Sequence, residues 1–375
     1  MQKVIRKDTF KAALSKRGWT QSALAKAVGV TPQAVTNWLK GDDFPRPDKL
    51  LKLATLLKLK FDQLVEQPRT DQPIVAFRKK AGAKTTDGHI YNARGMGMLL
   101  KLLIEFLPET RVLRTLITSP TIDYAGLQSI ASQVRDRLGV GERAVLGYEQ
   151  LIGEFKSCGA ILIPVLWGKK QQHKNALHIL LPKDDIAFVF LNLDTRLEDF
   201  KFWMAHELAH VYTPDLAGKD EGEDFADAFS GSLLFPQACA ELAYSEVMAV
   251  TKAGEIAVLQ AHAAHHSISL NTVYRQVKQY AKAKGFSPLR VAEKTIHAVR
   301  NSGNASLVSE ALFDPLPPKP AQYLAACENV FQSDFFKALK RLIKERGTGP
   351  SYVQQVLDIA LQDAAGVHQE LASRR

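Results

Sequence analysis

Cysteine is scarce in this chain. Cys158, Cys239 and Cys327 are the only three. They are widely spaced, odd in number and without a Cys-x-x-Cys pair, which argues against a disulfide framework or a cysteine-rich metal site and fits a reducing compartment. They read as small buried hydrophobes. Long apolar runs are missing too: no stretch of 18 apolar residues occurs, and Met1 through Lys7 lead into a polar helix rather than a signal core. Neither a membrane span nor a secretory leader is expected, and the chain reads as soluble and cytoplasmic. Acidic residues are few at the amino end, where residues 1–69 hold 14 Lys and Arg against 6 Asp and Glu, a surplus of +8 out of +10 for the whole protein. Such a balance favours a polyanionic partner, nucleic acid above all, through phosphate neutralisation and counterion release. The plainer alternative is a solvated basic surface.

What is present is globular. Hydrophobic residues make up 46% and charged residues 23% of 375 positions, enough for two or three domains with their own cores. Between Asp8 and Glu66 about five short helical segments follow one another too closely for strands or long loops. The second starts at Thr20, a hydroxyl cap, and presents Leu24, Ala25 and Val28 on one face before Gly29 ends it. The third opens with Thr31 as cap and Pro32 at its first position, where a missing N–H costs nothing. Val30, Val35 and Trp38 supply the core that fixes the crossing of these two helices, leaving Gln21, Gln33, Thr36, Asn37 and Lys40 exposed. Amide side chains suit paired contacts with adenine edges.

From Thr20-Gln21-Ser22-Ala23-Leu24-Ala25 through Gly29-Val30-Thr31-Pro32-Gln33-Ala34-Val35-Thr36-Asn37-Trp38-Leu39-Lys40-Gly41, then Pro47, the segment resembles the Cro/repressor (XRE) type of helix-turn-helix. The resemblance implies that Gln21 touches phosphate or base at the groove edge, that Gln33, Thr36 and Asn37 enter the major groove of a double-stranded operator, and that the protein binds as a homodimer. A protein-interaction module of the same shape is the alternative.

Pro68, Pro73, Gly82, Gly88 and Gly95 mark residues 70–95 as a linker or arm. Helical patterning returns at Met96–Leu107 and Tyr124–Leu138. Ala160–Leu166 and Ile186–Asn192 are short apolar runs that read as buried strands, with Leu177–Leu181 a third between them, so a small sheet precedes a long helix beginning near Leu197. That helix carries His206-Glu207-Leu208-Ala209-His210. Positions i and i+4 share a helix face, so both imidazoles can reach one ion, and Glu207 stands beside them to take a proton from water. Two histidines and a carboxylate with an open fourth position make a catalytic Zn2+ site. The extended pattern with a third histidine fails, because Leu216 stands where it would fall and Thr213 replaces the usual glycine. A downstream carboxylate is needed, and Asp220–Phe229 opens a helix in which Glu223 and Asp227 are one turn apart. Glu223 is the expected ligand and Asp227 the orienting partner of a ligand imidazole, with Glu221 a lesser candidate. Taken without the preceding motif, these acids would be an ordinary helix N-terminus.

The His-Glu-x-x-His helix, followed by a Glu helix ending in Leu233-Leu234-Phe235-Pro236, resembles the ImmA/IrrE metallopeptidases, and the likeness runs back through Ile130–Gly139 and Gly159–Val165, spanning roughly 120–285. It implies a zincin-like, gluzincin-type endopeptidase that cuts a repressor- or antitoxin-like protein and so relieves repression after stress or prophage induction. Further on, the spacing of His262, His265 and His266 favours a surface or structural role over a metal site, and Ser269–Val277 looks like a second helix-turn-helix-like pair. A basic segment, Lys337–Arg346, reads as a solvated helix face, with an amphipathic oligomerisation or DNA-contacting helix the alternative. The expected plan is therefore α+β and mainly helical: a five-helix bundle over 1–69, a linker or arm over 70–95, a peptidase domain with a small sheet over 96–285, and a helical region over 286–375. Two other readings stay open: a transcription factor with a non-proteolytic zinc sensor or dimerisation body, and an antitoxin or phage-defence interaction protein.

Overall fold

Threonine hydroxyls open two successive helices near the amino end, as their position before apolar periodicity dictates. Thr20 accepts from the Ala23 N–H and Thr31 from the Ala34 N–H, each at 3.1 Å, while Gly29 closes the first helix in the left-handed conformation at φ +79°. This computed structural model describes residues 4–66, 72–76, 87–108, 116–167, 176–302 and 306–373. The chain divides into Met1–Gln72 and Pro73–Arg375. The first unit runs β1 (Val4–Ile5), α1 (Lys7–Lys16), α2 (Gln21–Val28), α3 (Pro32–Lys40), α4 (Pro47–Leu57), α5 (Phe61–Leu64) and β2 (Val65–Glu66). Its core gathers Phe10, Leu14, Leu24, Ala25, Val28, Val35, Trp38, Leu53, Leu57 and Leu64. Two strands unforeseen in the sequence, β1 and β2, pair antiparallel with Ile5 opposite Val65 and tie the unit's ends together.

The second unit starts with β3 (Ile74–Ala76), α6 (Asp87–Leu100), a 3-10 turn over Lys101–Phe106, α7 (Tyr124–Arg137), α8 (Tyr148–Ser157), β4 (Ile161–Val165), β5 (Ala176–Leu181) and β6 (Ile186–Asn192). It continues with α9 (Leu197–Tyr212), α10 (Asp220–Leu234), α11 (Gln237–Ala249), α12 (Glu255–His266), α13 (Leu270–Lys284), α14 (Glu293–Ser302), α15 (Val308–Leu312), α16 (Pro320–Asn329), α17 (Phe335–Arg346), α18 (Pro350–Leu357) and α19 (Leu361–Ser373). The sheet order is β3-β5-β6-β4, with β4 parallel to β6 and the other two pairs antiparallel. Of the three strands expected, β6 thus lies between β4 and β5.

Both faces of this sheet are covered, which is why β5 and β6 are apolar almost without alternation and buried nearly throughout. His178 of β5 faces α9, within reach of Glu207. Its neighbour Ile179 faces the other way, where Gly97 of α6 comes close. Two expected boundaries change. The stretch 70–95 holds β3 and the first part of α6, whose helical period is hidden by Gly88, Gly95 and Gly97; residues 77–86 lie outside those described. Residues 286–375 belong to the second unit. Tyr323 donates to the Pro164 carbonyl at 2.5 Å, Trp167 to the Leu357 carbonyl at 2.8 Å and Tyr352 to the Leu99 carbonyl at 2.8 Å. The basic helix α17 is amphipathic rather than free, burying Phe335, Phe336, Leu339 and Leu342.

Candidate metal centre and nucleic-acid interface

α9 is apolar nearly all round because the sheet, α8 and α10 surround it. Its carboxyl end is anchored: Glu154 accepts from the Tyr212 hydroxyl at 2.6 Å and from Arg137 at 2.8 Å. α10 is held at its own end by buried Arg135 of α7, which donates to the Leu233 carbonyl at 2.7 Å. Between these anchors stand His206, Glu207 and His210, each 3% exposed or less.

The helical spacing brings the two Nε2 atoms to 3.2 Å from each other. Glu223, in the first turns of α10, places Oε2 3.4 Å from His206 Nε2 and Oε1 3.4 Å from His210 Nε2. Asp227, one turn on, sets Oδ1 3.0 Å from His206 Nδ1. With that carboxylate accepting the Nδ1 proton, the lone pair of His206 Nε2 is left for the common point. Donors around a tetrahedral ion with bonds of about 2.0–2.1 Å stand about 3.3 Å apart, close to the 3.2 Å between the two Nε2 atoms and to the 3.4 Å from each ring to the Glu223 oxygen that faces it. Among the described residues, His206, His210 and Glu223 form the one group able to hold an ion in this way. Glu221 takes no place in it.

Burial opposes charge on His206, but Asp227 and Glu223 outweigh it and hold its pKa at about 9. Burial would also raise Glu223, yet the facing imidazoles keep it at about 2. Burial pushes His210 down and Glu207 up to about 7, against the pull of both histidines. A carboxylate poised near neutrality can accept a proton and return it. Sequence reasoning missed His178, treating it only as part of a strand. Its Nδ1 lies 3.6 Å from Glu207 Oε2 and its ring centroid 5.6 Å from that of His210. A lone histidine in an otherwise apolar strand, one strand before the helix that carries the metal motif, was the available signal.

The other histidine cluster does not converge. His262 pairs with Glu246 at 2.8 Å, while His266 is buried edge-on against Phe235 with its pKa pushed down to about 4 by burial.

On the first unit, α3 turns Val35, Trp38 and Leu39 inward. Gln33 and Lys40 are exposed, and Gln21, Thr36 and Asn37 half-exposed. Gln33 Nε2 donates to Asn37 Oδ1 at 2.8 Å and Thr36 Oγ1 to the Pro32 carbonyl at 3.0 Å. Gln33, Asn37 and Lys40 therefore share one outer face, and the two amides satisfy each other until an outside partner competes.

Residues 10–64 match the helix-turn-helix family. No curated protein and no solved structure matches the chain. The amino-terminal unit is thus a helix-turn-helix domain of a DNA-binding regulator, joined to a mainly helical body with a four-stranded sheet. No helix among the described residues is long and apolar enough to cross a membrane.

Proposed function

We propose that this regulator carries a zinc-dependent endopeptidase in its second unit, that the peptidase cuts a repressor- or antitoxin-like protein or the chain itself, and that cutting switches transcription from the operator the first unit binds as a homodimer. The observation that carries this reading is the convergence of His206, His210 and Glu223 beside a buried Glu207. The donor set fits zinc in kind and spacing. Both Glu223 oxygens are shielded from solvent, each facing a ring nitrogen at 3.4 Å, and a cation at the common point would satisfy them. Bound there, zinc would polarise a peptide carbonyl and acidify water.

The chain's own groups supply the rest. Asp227 fixes the His206 ring, and Glu207 takes a proton from the attacking water as its oxygen bonds to the carbonyl carbon. The C–N bond then breaks, and Glu207 hands that proton to the departing amine nitrogen. His178 constrains the Glu207 carboxylate. In the DNA-binding unit, Gln33, Asn37 and Thr36 read bases while Gln21 and Lys40 hold the backbone.

Zinc content and cleavage of neighbouring-gene repressors, with operator binding as the folding control, test this in wild type and Glu207→Gln. The expected result is about one zinc per chain in both proteins and cleavage by wild type alone. Zinc in both with cleavage in neither would favour the sensor reading; zinc in neither would remove the site.

A further inference from the structure

An exposed sheet edge is a template for any extended chain, because its free N–H and C=O groups recruit a new strand. In this protein the edge of β5, the strand that brings His178 to Glu207, is already taken. β3 pairs with it antiparallel, Ile74 opposite Leu180, Val75 opposite Ile179 and Ala76 opposite His178. Directly opposed residues lie on the same face, so Ala76 stands beside the imidazole that is 3.6 Å from Glu207. On its outer side, β3 is flanked by Gly218, in the turn that joins the His210 helix to the Glu223 helix. A Cβ at Gly218, where φ is +74°, would lie 3.3 Å from the Val75 carbonyl oxygen and 3.5 Å from Ile74 Cγ2. From behind, α6 holds the start of the strand: a Cβ at Gly97 would come within 2.5 Å of Pro73 Cβ. The chain is thus threaded between the His178 strand and the turn linking the two ligand helices.

We propose that Pro73–Ala76 is a built-in occupant of the polypeptide-binding edge of this site, and that another protein chain enters only when β3 is displaced. The inference rests on the peptidase reading for what enters the cleft. A three-residue pairing is short enough to exchange, and Ile74 and Val75 are only half-buried. An incoming extended segment would replace the same main-chain bonds. The strand directly follows the DNA-binding unit in sequence, so both proposed functions adjoin this segment.

The test uses the full-length zinc-loaded chain in a Glu207→Gln background, so that nothing is cut. The probe is a fluorescent peptide of the sequence Gln72–Ala76 with Gly-Ser at each end. Two variants release β3: Gly97→Ala, which drives a methyl into the Pro73 ring, and Ala76→Pro, which removes an N–H from the ladder, the Val75 carbonyl being turned outward to Gly218. A third, Val75→Cys with Ile179→Cys, locks the opposed pair on oxidation. Release is expected to tighten capture of the peptide at least tenfold, as read by anisotropy, and the oxidised lock to abolish it until reduced. Equal capture by the released and locked forms overturns the inference. Melting curves and zinc content identify a variant that has merely lost its fold, in which case the lock decides. With Glu207 restored, tighter capture without any cleavage keeps this inference and removes the peptidase reading. Cleavage of unfolded casein that is equal in locked and released forms does the reverse.

Discussion

A proton on His206 stands in the way of any cation. With its pKa held near 9 by Asp227 and Glu223 against burial, that ring is charged at neutral pH when no ion is bound. Metal can bind only the deprotonated ring. Apparent zinc affinity should therefore rise about tenfold per pH unit between roughly pH 7 and 9 and level off above, where the proton is already gone. Glu223, at about 2, adds nothing in that range. Asp227→Asn removes the carboxylate that favours the charged ring, so its pKa falls and the slope flattens. The loss of ligand orientation should meanwhile cost about 10–100-fold in affinity above pH 9. Competition against a chromophoric chelator from pH 6 to 10 measures both effects, and identical slopes for the two proteins would contradict the role given to Asp227.

At the scale of the element, α3 makes a separable prediction because its outer face carries two kinds of side chain. Lys40 offers only charge, so Lys40→Ala should weaken binding to all DNA alike and reduce the salt dependence by about one counterion. Gln33 offers an amide fork, now spent on Asn37 at 2.8 Å. Gln33→Ala should cost about 1–3 kcal/mol on the preferred site and relax the choice at one base pair. Titrations on duplexes selected from a random library, at two salt concentrations, would read both; a Gln33→Ala protein with unchanged base preference would take α3 out of the major groove.

These helices were legible because their signals are local: Thr31 before Pro32, Gly29 after Val28, His206 and His210 four apart. β3 and α6 were not. Three residues of β3 are too few for alternation to show, and the glycines of α6 read as a loop until Gly97 is seen against Pro73. His178 needed tertiary knowledge, since only the β5–β6 pairing and the position of α9 carry it to Glu207. The sheet runs themselves, Ile161–Val165 and Ile186–Asn192, were legible from apolar content, whereas their spatial order was not.

The whole molecule has two cores that share no residue, one in each unit. Within the second, the carboxyl-terminal helices close the body that carries the candidate metal centre. Leu324, Phe335, Phe336, Leu339, Val353 and Val356 are fully buried there. At about 1.5–3 kcal/mol per large apolar side chain, their removal forfeits on the order of 10–20 kcal/mol, as much as the net stability of about 5–15 kcal/mol that a domain possesses. It also strips the partners of the Pro164 carbonyl and of Trp167. A chain ended at Lys284 keeps every ligand, Glu207 and His178, yet its second unit is expected to lose cooperative melting and stoichiometric zinc. The first unit, whose core is complete by Leu64, should still bind DNA in the same shortened chain. Calorimetry, zinc analysis and DNA titration on that one protein bear on each point. A shortened chain that held zinc and melted like the full one would make residues 286–375 dispensable to this body, and would show that the site needs only α9, α10 and the sheet.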